Sequence, residues 1–451
     1  MNKYFGTDGF RGAAGKDLTA LHAFKIGRCL GGIIKASENR TNHPRVLIGK
    51  DTRLSSYMLE YAIASGLSAS GVDVYLMHVT TTPSVTYVTV SDGFDFGIMI
   101  TASHNPFFDN GIKIIDSSGE KIDDALAEEI ERYIDGISQE IAFATAADVG
   151  RIVDYSIGRE SYVDHLLSIA KHRCSLRIGL DTANGAAVHL AREVFERLGA
   201  TVYQIGGKPN GINVNDGCGS THPEGLARLV QEHSLDVGFA FDGDADRCIA
   251  IDECGNVADG DKIMYLLANR LKRQGRLKDD RVVTTVMSNG GLLRSFERTG
   301  IRTEVTKVGD RFVYERMLSS GSVLGGEQSG HVILRDYATT GDGILTAIMV
   351  TEEMAEMRST LKELTKDVII DPQISRSVRV NDKARAIGDE ALTDLVDRIK
   401  GELSGQGRIL VRASGTEPSI RIMVEAVSTD MCQKHVDEIY NLLVERGYAD
   451  E

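Results

Sequence analysis

The pattern that most constrains this chain is one structural unit written three times. Arg45-Val46-Leu47-Ile48-Gly49-Lys50-Asp51 opens as a strand, a helical stretch through Leu59, Ile63 and Leu67 comes next, and Gly71-Val72-Asp73-Val74-Tyr75-Leu76 returns as a second strand. A second copy runs from Leu176-Arg177-Ile178-Gly179-Leu180-Asp181 through a helix carrying Ala191 and Phe195 to Gly199-Ala200-Thr201-Val202-Tyr203. The third runs from Arg281-Val282-Val283-Thr284-Thr285 through a helix carrying Leu293 and Phe296 to Gly300-Ile301-Arg302-Thr303-Glu304. Such alternation predicts α/β domains with mixed sheets. The last segment departs from it: Ser377-Val378-Arg379-Val380, an amphipathic helix from Ala391 to Ile399 and Arg408-Ile409-Leu410-Val411 read as a smaller α+β domain. A chain of 451 residues has room for several cores, since single domains mostly hold about 100 to 200 residues. The expected division is 1–153, 154–254, 255–368 and 369–451, with three similar α/β domains around a central cleft and a C-terminal α+β domain.

The segment after each copy carries the chemistry. A further short apolar run ends in a polar loop at Gly97 to Ser103, at Val237 to Asp242 and at Val323 to Glu327. Ligands of open α/β sheets lie beyond the carboxyl ends of strands, so three similar domains can turn these loops toward one cleft. In the first loop, Phe96-Gly97-Ile98-Met99-Ile100 reads as a buried strand and Asn105-Pro106 as the turn that stops it, which leaves the Ser103 hydroxyl at a strand end. In the second, Asp242-Gly243-Asp244-Ala245-Asp246-Arg247 sets three carboxylates at alternate positions straight after the apolar Val237-Gly238-Phe239-Ala240-Phe241. Unit charges ~4 Å apart interact by about 4 kcal/mol at an effective dielectric near 20, so three converging carboxylates resist assembly without a cation. Oxygen donors alone select a hard ion such as Mg²⁺. Glu253 falls at the twelfth position that a calcium loop uses, but the strand-like Cys248-Ile249-Ala250-Ile251 lies between and flanking helices are lacking.

Two more loops offer binding groups. Gly325-Gly326-Glu327-Gln328-Ser329-Gly330-His331 presents a carboxylate, an amide, a hydroxyl and an imidazole, which suits sugar hydroxyls and equally suits an ordinary glycine turn. Arg412-Ala413-Ser414-Gly415-Thr416-Glu417-Pro418-Ser419-Ile420-Arg421 collects the donors that a phosphate dianion needs. A formal net charge of −14 argues against a nucleic-acid partner, which a basic surface would attract. No apolar run approaches a membrane span, Met1 to Asp8 has no signal-peptide core, and the six cysteines form no Cys-x-x-Cys pair, so a cytoplasmic protein is expected. No Walker-type or kinase signature accompanies Ser103, which points to phosphate shuttled between enzyme and substrate and away from nucleotide-driven transfer.

With the opening Phe5-Gly6-Thr7-Asp8-Gly9-Phe10-Arg11-Gly12, the four loops in order strongly resemble the α-D-phosphohexomutase family over nearly the whole length. Gln328 resembles the glucosamine branch, where relatives acting on mannose or glucose phosphates more often carry methionine. The resemblance implies that Ser103 is a phosphoserine and that Asp242, Asp244 and Asp246, with an oxygen of phosphorylated Ser103, hold one Mg²⁺ per active site. It places Arg247 beside the metal, Glu327 and Ser329 as readers of sugar hydroxyls, and Arg11 and Lys113 as basic groups near the phosphoserine. Arg412, Ser414, Gly415, Thr416 and Arg421 would clamp the phosphate that is not transferring. Lys113 or His331 would move protons, with acid and base unassigned. The implied activity interconverts glucosamine 6-phosphate and glucosamine 1-phosphate in support of amino-sugar nucleotide (UDP-N-acetylglucosamine) synthesis. Its intermediate and activator would be glucosamine or glucose 1,6-bisphosphate. A phosphorylated hexosamine substrate, a homodimer, and no nucleic-acid or membrane partner are implied as well. Ala245 stands where the family commonly has glycine, and Phe107-Phe108 replaces a frequent tyrosine-containing pair, which puts loop shape in question but removes no ligand. The alternatives are the same mechanism on mannose or glucose phosphates, a hydrolase that works through a phosphorylated Ser103 and admits water to finish the cycle, and a sugar-phosphate sensor without turnover.

Overall fold

In the computed structural model, which describes residues 3–36, 44–414 and 418–449, three sheets repeat one arrangement. The first holds β1 (Phe5–Gly6), β2 (Gly9–Ala13), β3 (Arg45–Lys50), β4 (Asp73–Val79), β5 (Phe96–Ile100), β6 (Asp109–Asp116) and β7 (Ile152–Asp154) in the order β1-β2-β6-β5-β3-β4-β7. The second holds β8 (Arg177–Asp181), β9 (Thr201–Ile205), β10 (Val237–Phe241), β11 (Cys248–Ile251) and β12 (Val257–Ala258) in the order β12-β11-β10-β8-β9. The third runs β14-β13-β15-β16, with β13 at Arg281–Thr285, β14 at Arg302–Thr306, β15 at Leu324–Gly326 and β16 at Val332–Leu334. In each, a first strand (β3, β8, β13) lies between two parallel partners, and an antiparallel strand (β6, β11, β16) then returns beside the last of these. Every chemical loop of the first three occupies this one place, between the third parallel strand and its antiparallel return.

The returning strands begin two residues later than hydrophobic periodicity suggests, at Asp73, Thr201 and Arg302. The reason is the same in each copy. Gly71, Gly199 and Gly300 have φ of +79°, +102° and +66°, a left-handed conformation that closes the turn after the preceding helix and that glycine adopts without a Cβ clash. Extended backbone can start only beyond it.

The strands are buried as apolar runs require: Val46, Ile48, Ile98 and Ile100 pack with Ile26, Leu59, Ile63 and Leu67 of the helices Ala20–Ala36 and Ser56–Ser68, all at 0% exposure. Full burial of each such side chain contributes roughly 1.5–3 kcal/mol, which fixes the sheet that carries the first loop. Among the described residues no helix is long and apolar enough to cross a membrane.

The chain divides into two units, Met1–Met287 with Gly300–Lys366, and Ser288–Thr299 with Asp367–Glu451. The second unit has its own antiparallel sheet, β17 (Gln373–Arg379), β18 (Gly407–Ala413) and β19 (Ser419–Ala426), in the order β17-β19-β18. Helices Glu390–Glu402 and Thr429–Glu445 cover it through Leu392, Ile399, Val436 and Ile439. The helix Gly290–Arg298 belongs to this unit: its first N–H donates to Glu425 Oε1 at 2.9 Å, and Arg294 pairs with Asp371 at 2.7 Å.

Candidate active site

Ser103 lies past the carboxyl end of a fully buried strand segment, Gly97–Ile100, and is itself 1% exposed. Its φ is +51°, an uncommon conformation for a residue with a side chain. The backbone is held there by its neighbours, since Ser103 N–H donates to Thr101 Oγ1 at 2.9 Å and its carbonyl accepts from Arg53 and Asn215, each at 2.8 Å. The hydroxyl donates to Asp242 Oδ2 at 2.6 Å, and His104 Nδ1 stands 3.3 Å from the same hydroxyl oxygen. The cation of Arg247, then burial and Arg11, pull His104 down to about 3, so this imidazole is neutral beside Ser103.

The acidic loop begins where β10 ends. Asp242 and Asp244 are fully buried and Asp246 is nearly so. Such a cluster is tolerated because Lys113, on β6, places its ammonium 2.8 Å from Asp244 Oδ2 and 3.0 Å from Asp246 Oδ2, with Asp8 Oδ1 at 3.6 Å. Burial opposes that charge, yet Asp244, Asp246 and Asp8 together hold Lys113 well above its ordinary range. Burial, with Asp246 and Asp244 adding to it, pushes Asp242 up to about 7. Asp246 is held far down, because Lys113, His331 and Arg247 outweigh its burial. Thr82, first residue of the helix Thr82–Ser91, donates its hydroxyl to Asp244 Oδ2 at 2.5 Å and its N–H to the Asp244 carbonyl at 3.0 Å. Thr81 caps that helix and Pro83 occupies its first turn, so the cap sequence itself brings Thr82 to the cluster.

Asp244 Oδ1 and Asp246 Oδ1 are buried without a hydrogen-bond partner among the described residues. One oxygen from each of Asp242, Asp244 and Asp246 lies within 4.8 Å of the others. Buried carboxylate oxygens without donors are costly unless a cation takes them, so the residues present fit a hard divalent ion.

The third loop meets the other two. His331 is 3% exposed; its Nε2 accepts the Gly341 N–H at 3.0 Å, which leaves the proton on Nδ1, 3.7 Å from Asp246 Oδ1. Glu327 accepts the Gly309 N–H at 2.9 Å, while Ser329 is exposed on the turn. Arg247, half-buried, donates its N–H to Asp242 Oδ1 at 3.3 Å and carries Nε 3.9 Å from Asp242 Oδ2. Arg11 pairs with Asp8, and Asp8 also accepts from Lys121 at 2.6 Å, so the two basic groups expected near Ser103 share one carboxylate. A cavity of about 190 Å³ opens beside this network, lined by Thr82, Lys113, Lys121, Asp310 and His331 among others. The three strand-end loops are thus brought together, as their sequence positions suggest.

The phosphate-type loop lies in the second unit. Arg412 and Arg421 are directly opposed across the β18–β19 ladder, and Ser414, buried, donates its N–H to the Ser419 carbonyl at 2.8 Å while its own carbonyl accepts from Lys383 at 2.9 Å. Gly415 and Thr416 lie outside the described residues.

Comparison with known proteins agrees with this arrangement domain by domain. The phosphoglucomutase/phosphomannomutase alpha/beta/alpha domains I, II and III match residues 2–141, 160–255 and 259–370, and the C-terminal domain of the same family matches 377–442. The chain belongs to the phosphoglucomutase/phosphomannomutase family. It is an enzyme of the phosphohexomutase class, an isomerase that relocates a phosphoryl group on a sugar. Phosphoglucosamine mutase from Lachnospira eligens is 51% identical over 450 residues, covering 100% of each chain. Phosphoglucosamine mutase from Lachnoclostridium phytofermentans is 50% identical over 449 residues, covering 99% of each. In fold, a phosphoglucomutase/phosphomannomutase family protein from Burkholderia thailandensis superposes with a TM-score of 0.78 at 24% identity over 98% of each chain.

Several residues of this family member's site escape sequence reasoning. Thr82 starts an unremarkable helix, Asp8 sits unselected inside the opening motif, and His104 adjoins the serine without any spacing signal. Lys121 looks like a surface charge, yet it bridges Asp8 and Asp310. Asp51 and Arg53 offered a signal: charged residues directly after a buried strand, at the end where ligands gather.

Proposed function

We propose that this enzyme interconverts glucosamine 6-phosphate and glucosamine 1-phosphate in the cytoplasm, with Ser103 carrying the phosphoryl group. The observation that carries this reading is the Ser103 hydroxyl, buried at a strand end, 2.6 Å from a carboxylate of a three-aspartate cluster that suits a hard cation. A free sugar hydroxyl attacks the phosphorus of phosphorylated Ser103, the bond to Oγ breaks, the hydroxyl's proton ends on Oγ, and a sugar 1,6-bisphosphate forms; after reorientation, Oγ attacks the other phosphate, its proton passes to the freed sugar oxygen, and the isomer leaves. Asp242, Asp244 and Asp246 would hold Mg²⁺, which would offset charge on the transferring group. Lys113 or His331 moves protons in this scheme, and Lys113, paired with Asp244, Asp246 and Asp8, also supplies a fixed positive charge beside the transferring group. His104 Nδ1, 3.3 Å from Ser103 Oγ, orients the carrier oxygen; its depressed pKa leaves it a weak base.

Glu327, Ser329 and Arg247 are assigned to the sugar, and Arg412, Ser414, Gly415, Thr416 and Arg421 to the phosphate that is not transferring. The names of the Lachnospira and Lachnoclostridium relatives and the presence of Gln328 favour glucosamine over glucose or mannose phosphates. A hexosamine 1,6-bisphosphate, or glucose 1,6-bisphosphate, primes Ser103. A homodimer is proposed as well, supported by exposed apolar Tyr57, Met58 and Tyr61 on the helix Ser56–Ser68 and Leu54 on the turn before it. Light scattering that gives the mass of one chain would remove that element. The central test is a coupled assay on glucosamine, N-acetylglucosamine, glucose and mannose phosphates, with Ser103→Ala alongside. Glucosamine phosphates should give the highest kcat/KM and Ser103→Ala should abolish isomerisation. Turnover of that variant at the wild-type rate would sink the carrier mechanism.

A further inference from the structure

Arg53 touches neither the acidic cluster nor the candidate sugar loop, yet it directs nearly all its donors at the serine loop. It is fully buried. Its Nε donates to Asp51 Oδ2 at 2.8 Å; Nη1 donates to the Pro106 carbonyl and, at 3.2 Å, to that of Asp109; Nη2 donates to the carbonyls of Ser103 and Asn105, each at 2.8 Å. A guanidinium has five N–H donors in a rigid fork, and five acceptors meet them here, four of them backbone carbonyls of one loop. Asp51 fixes the fork in turn. It accepts from Arg53 N–H at 3.0 Å, from Ser56 Oγ at 3.0 Å and from Thr101 Oγ1 at 2.7 Å, and Thr101 Oγ1 accepts the Ser103 N–H.

The Ser103 peptide is therefore gripped at both ends from a single carboxylate and guanidinium pair. From the opposite side, Asn215 Nδ2 donates to the Ser103 and Asn105 carbonyls at 2.8 and 3.1 Å. Gly243 of the acidic loop approaches so closely that a Cβ there would lie 2.6 Å from the Ser103 carbonyl oxygen. An L-residue in the left-handed region is strained, and such a conformation persists only where the surroundings over-determine it. Here that over-determination aims Oγ at Asp242.

We infer that Arg53, oriented by Asp51, is the positioning residue of the phosphoryl-carrying loop, setting where Ser103 Oγ stands relative to the metal cluster. This rests on the reading that Ser103 is the carrier. A neutral loop-packing role would let any buried side chain of similar size serve; a positioning role needs the fork, because a displacement near 1 Å at the reacting atom costs on the order of 100-fold in rate. Arg53→Lys keeps the charge but ends one bond short of the Nη atoms and offers three donors in a different geometry.

The test measures kcat and KM separately for Arg53→Lys, Asn215→Gly and Ser103→Ala in Mg²⁺ with bisphosphate, together with thermal melting and the mass fraction of phosphorylated protein. The glycine at 215 keeps the +58° φ of that position while deleting the amide. Arg53→Lys should lower kcat by about 100-fold with KM changed by less than about threefold, while melting stays cooperative and Ser103 is still phosphorylated. Asn215→Gly should lower kcat by about tenfold in the same pattern. A folded Arg53→Lys enzyme with kcat within about threefold of wild type overturns the inference, as does a loss carried by KM. If Arg53→Lys fails to fold, Asn215→Gly decides: an unchanged kcat overturns the inference and the tenfold loss with constant KM upholds it. Inactive Ser103→Ala beside normal Arg53→Lys rejects only the positioning role, whereas active Ser103→Ala rejects the carrier reading beneath it.

Discussion

Lys113→Met tests the electrostatics of the candidate site most directly, because Lys113 is the cation that the acidic loop already has. Its ammonium is 2% exposed and lies 2.8 and 3.0 Å from two carboxylates. At an effective dielectric near 20, each contact is worth on the order of 6 kcal/mol of gross attraction, most of it offset by desolvation of the three groups. Removing one partner of a buried pair costs about 3–5 kcal/mol in practice, since the remaining charge stays buried. Whole-domain stabilities are about 5–15 kcal/mol, so the metal-free variant should stand near its folding threshold, with a melting point lower by about 10 °C. Asp244 Oδ1 and Asp246 Oδ1, which accept no hydrogen bond among the described residues, the second with His331 Nδ1 3.7 Å away, stay available to a divalent ion. Magnesium at 100 times its dissociation constant returns about 2.7 kcal/mol. It should bind the variant more tightly than wild type, because the cluster then lacks its nearest counter-charge. Melting in EDTA and in millimolar Mg²⁺ reads both numbers. Two results would refute the reasoning: a drop in EDTA below about 2 °C, or equal stabilisation of variant and wild type by Mg²⁺.

Single contacts set three other expectations. Thr82→Val removes the hydroxyl that orients Asp244; Mg²⁺ affinity should fall by about tenfold, as for other groups that hold a ligand in place, and an unchanged dissociation constant by calorimetry would contradict this. Ala245, at φ +56°, should accept glycine with a net gain below about 1 kcal/mol, relief of strain being offset by chain entropy; a measured loss of more than about 1 kcal/mol would mean that its methyl packing dominates. Asp342 caps the helix Gly343–Met357 and accepts from Tyr162 at 2.8 Å, and burial pushes it up to about 6 from an ordinary 3.8. The folded state therefore binds its proton more strongly, so this group's contribution to stability falls as pH rises from 3.8 to about 6 and is constant above. Asp342→Asn keeps the cap and should gain on wild type through that window, by up to about 3 kcal/mol. Parallel stability curves from pH 4 to 7 would exclude the assignment.

The sheets and the three chemical loops were legible because apolar runs and glycine turns are local signals, and because strand ends are where such loops must fall. The register of the returning strands was not, since apolar patterning continues through Gly71-Val72 and Gly300-Ile301 while the backbone there is still turning. Ser103, Lys113 and the aspartates were found from residue type and resemblance. Thr82, Arg53 and Asn215 were not, because their roles consist of contacts 50 to 162 residues away, and a threonine at a helix start or an arginine after a strand has many commoner explanations. The carboxyl end of β3 merits the same weight as that of β5, since Lys50, Asp51 and Arg53 are all fully buried there.

Because the Ser103 loop, the three-aspartate loop and the Glu327–His331 loop occupy one topological place in three successive sheets, each is carried by a separate set of strands. Each hairpin hangs from its own parallel trio, so replacing the turn between β15 and β16 leaves every ladder in the other two sheets untouched. The Glu327–His331 turn is nonetheless tied to the acidic loop's sheet, because His331 Nδ1 stands 3.7 Å from Asp246 Oδ1 and Cys248 N–H, at the start of β11, donates to the Gly330 carbonyl at 3.0 Å. A graft of that turn therefore has to keep the backbone carbonyls at Gln328 and Gly330, which accept from Gly260 and Cys248, and a glycine at position 330, where a Cβ would lie 2.5 Å from the Cys248 carbonyl oxygen.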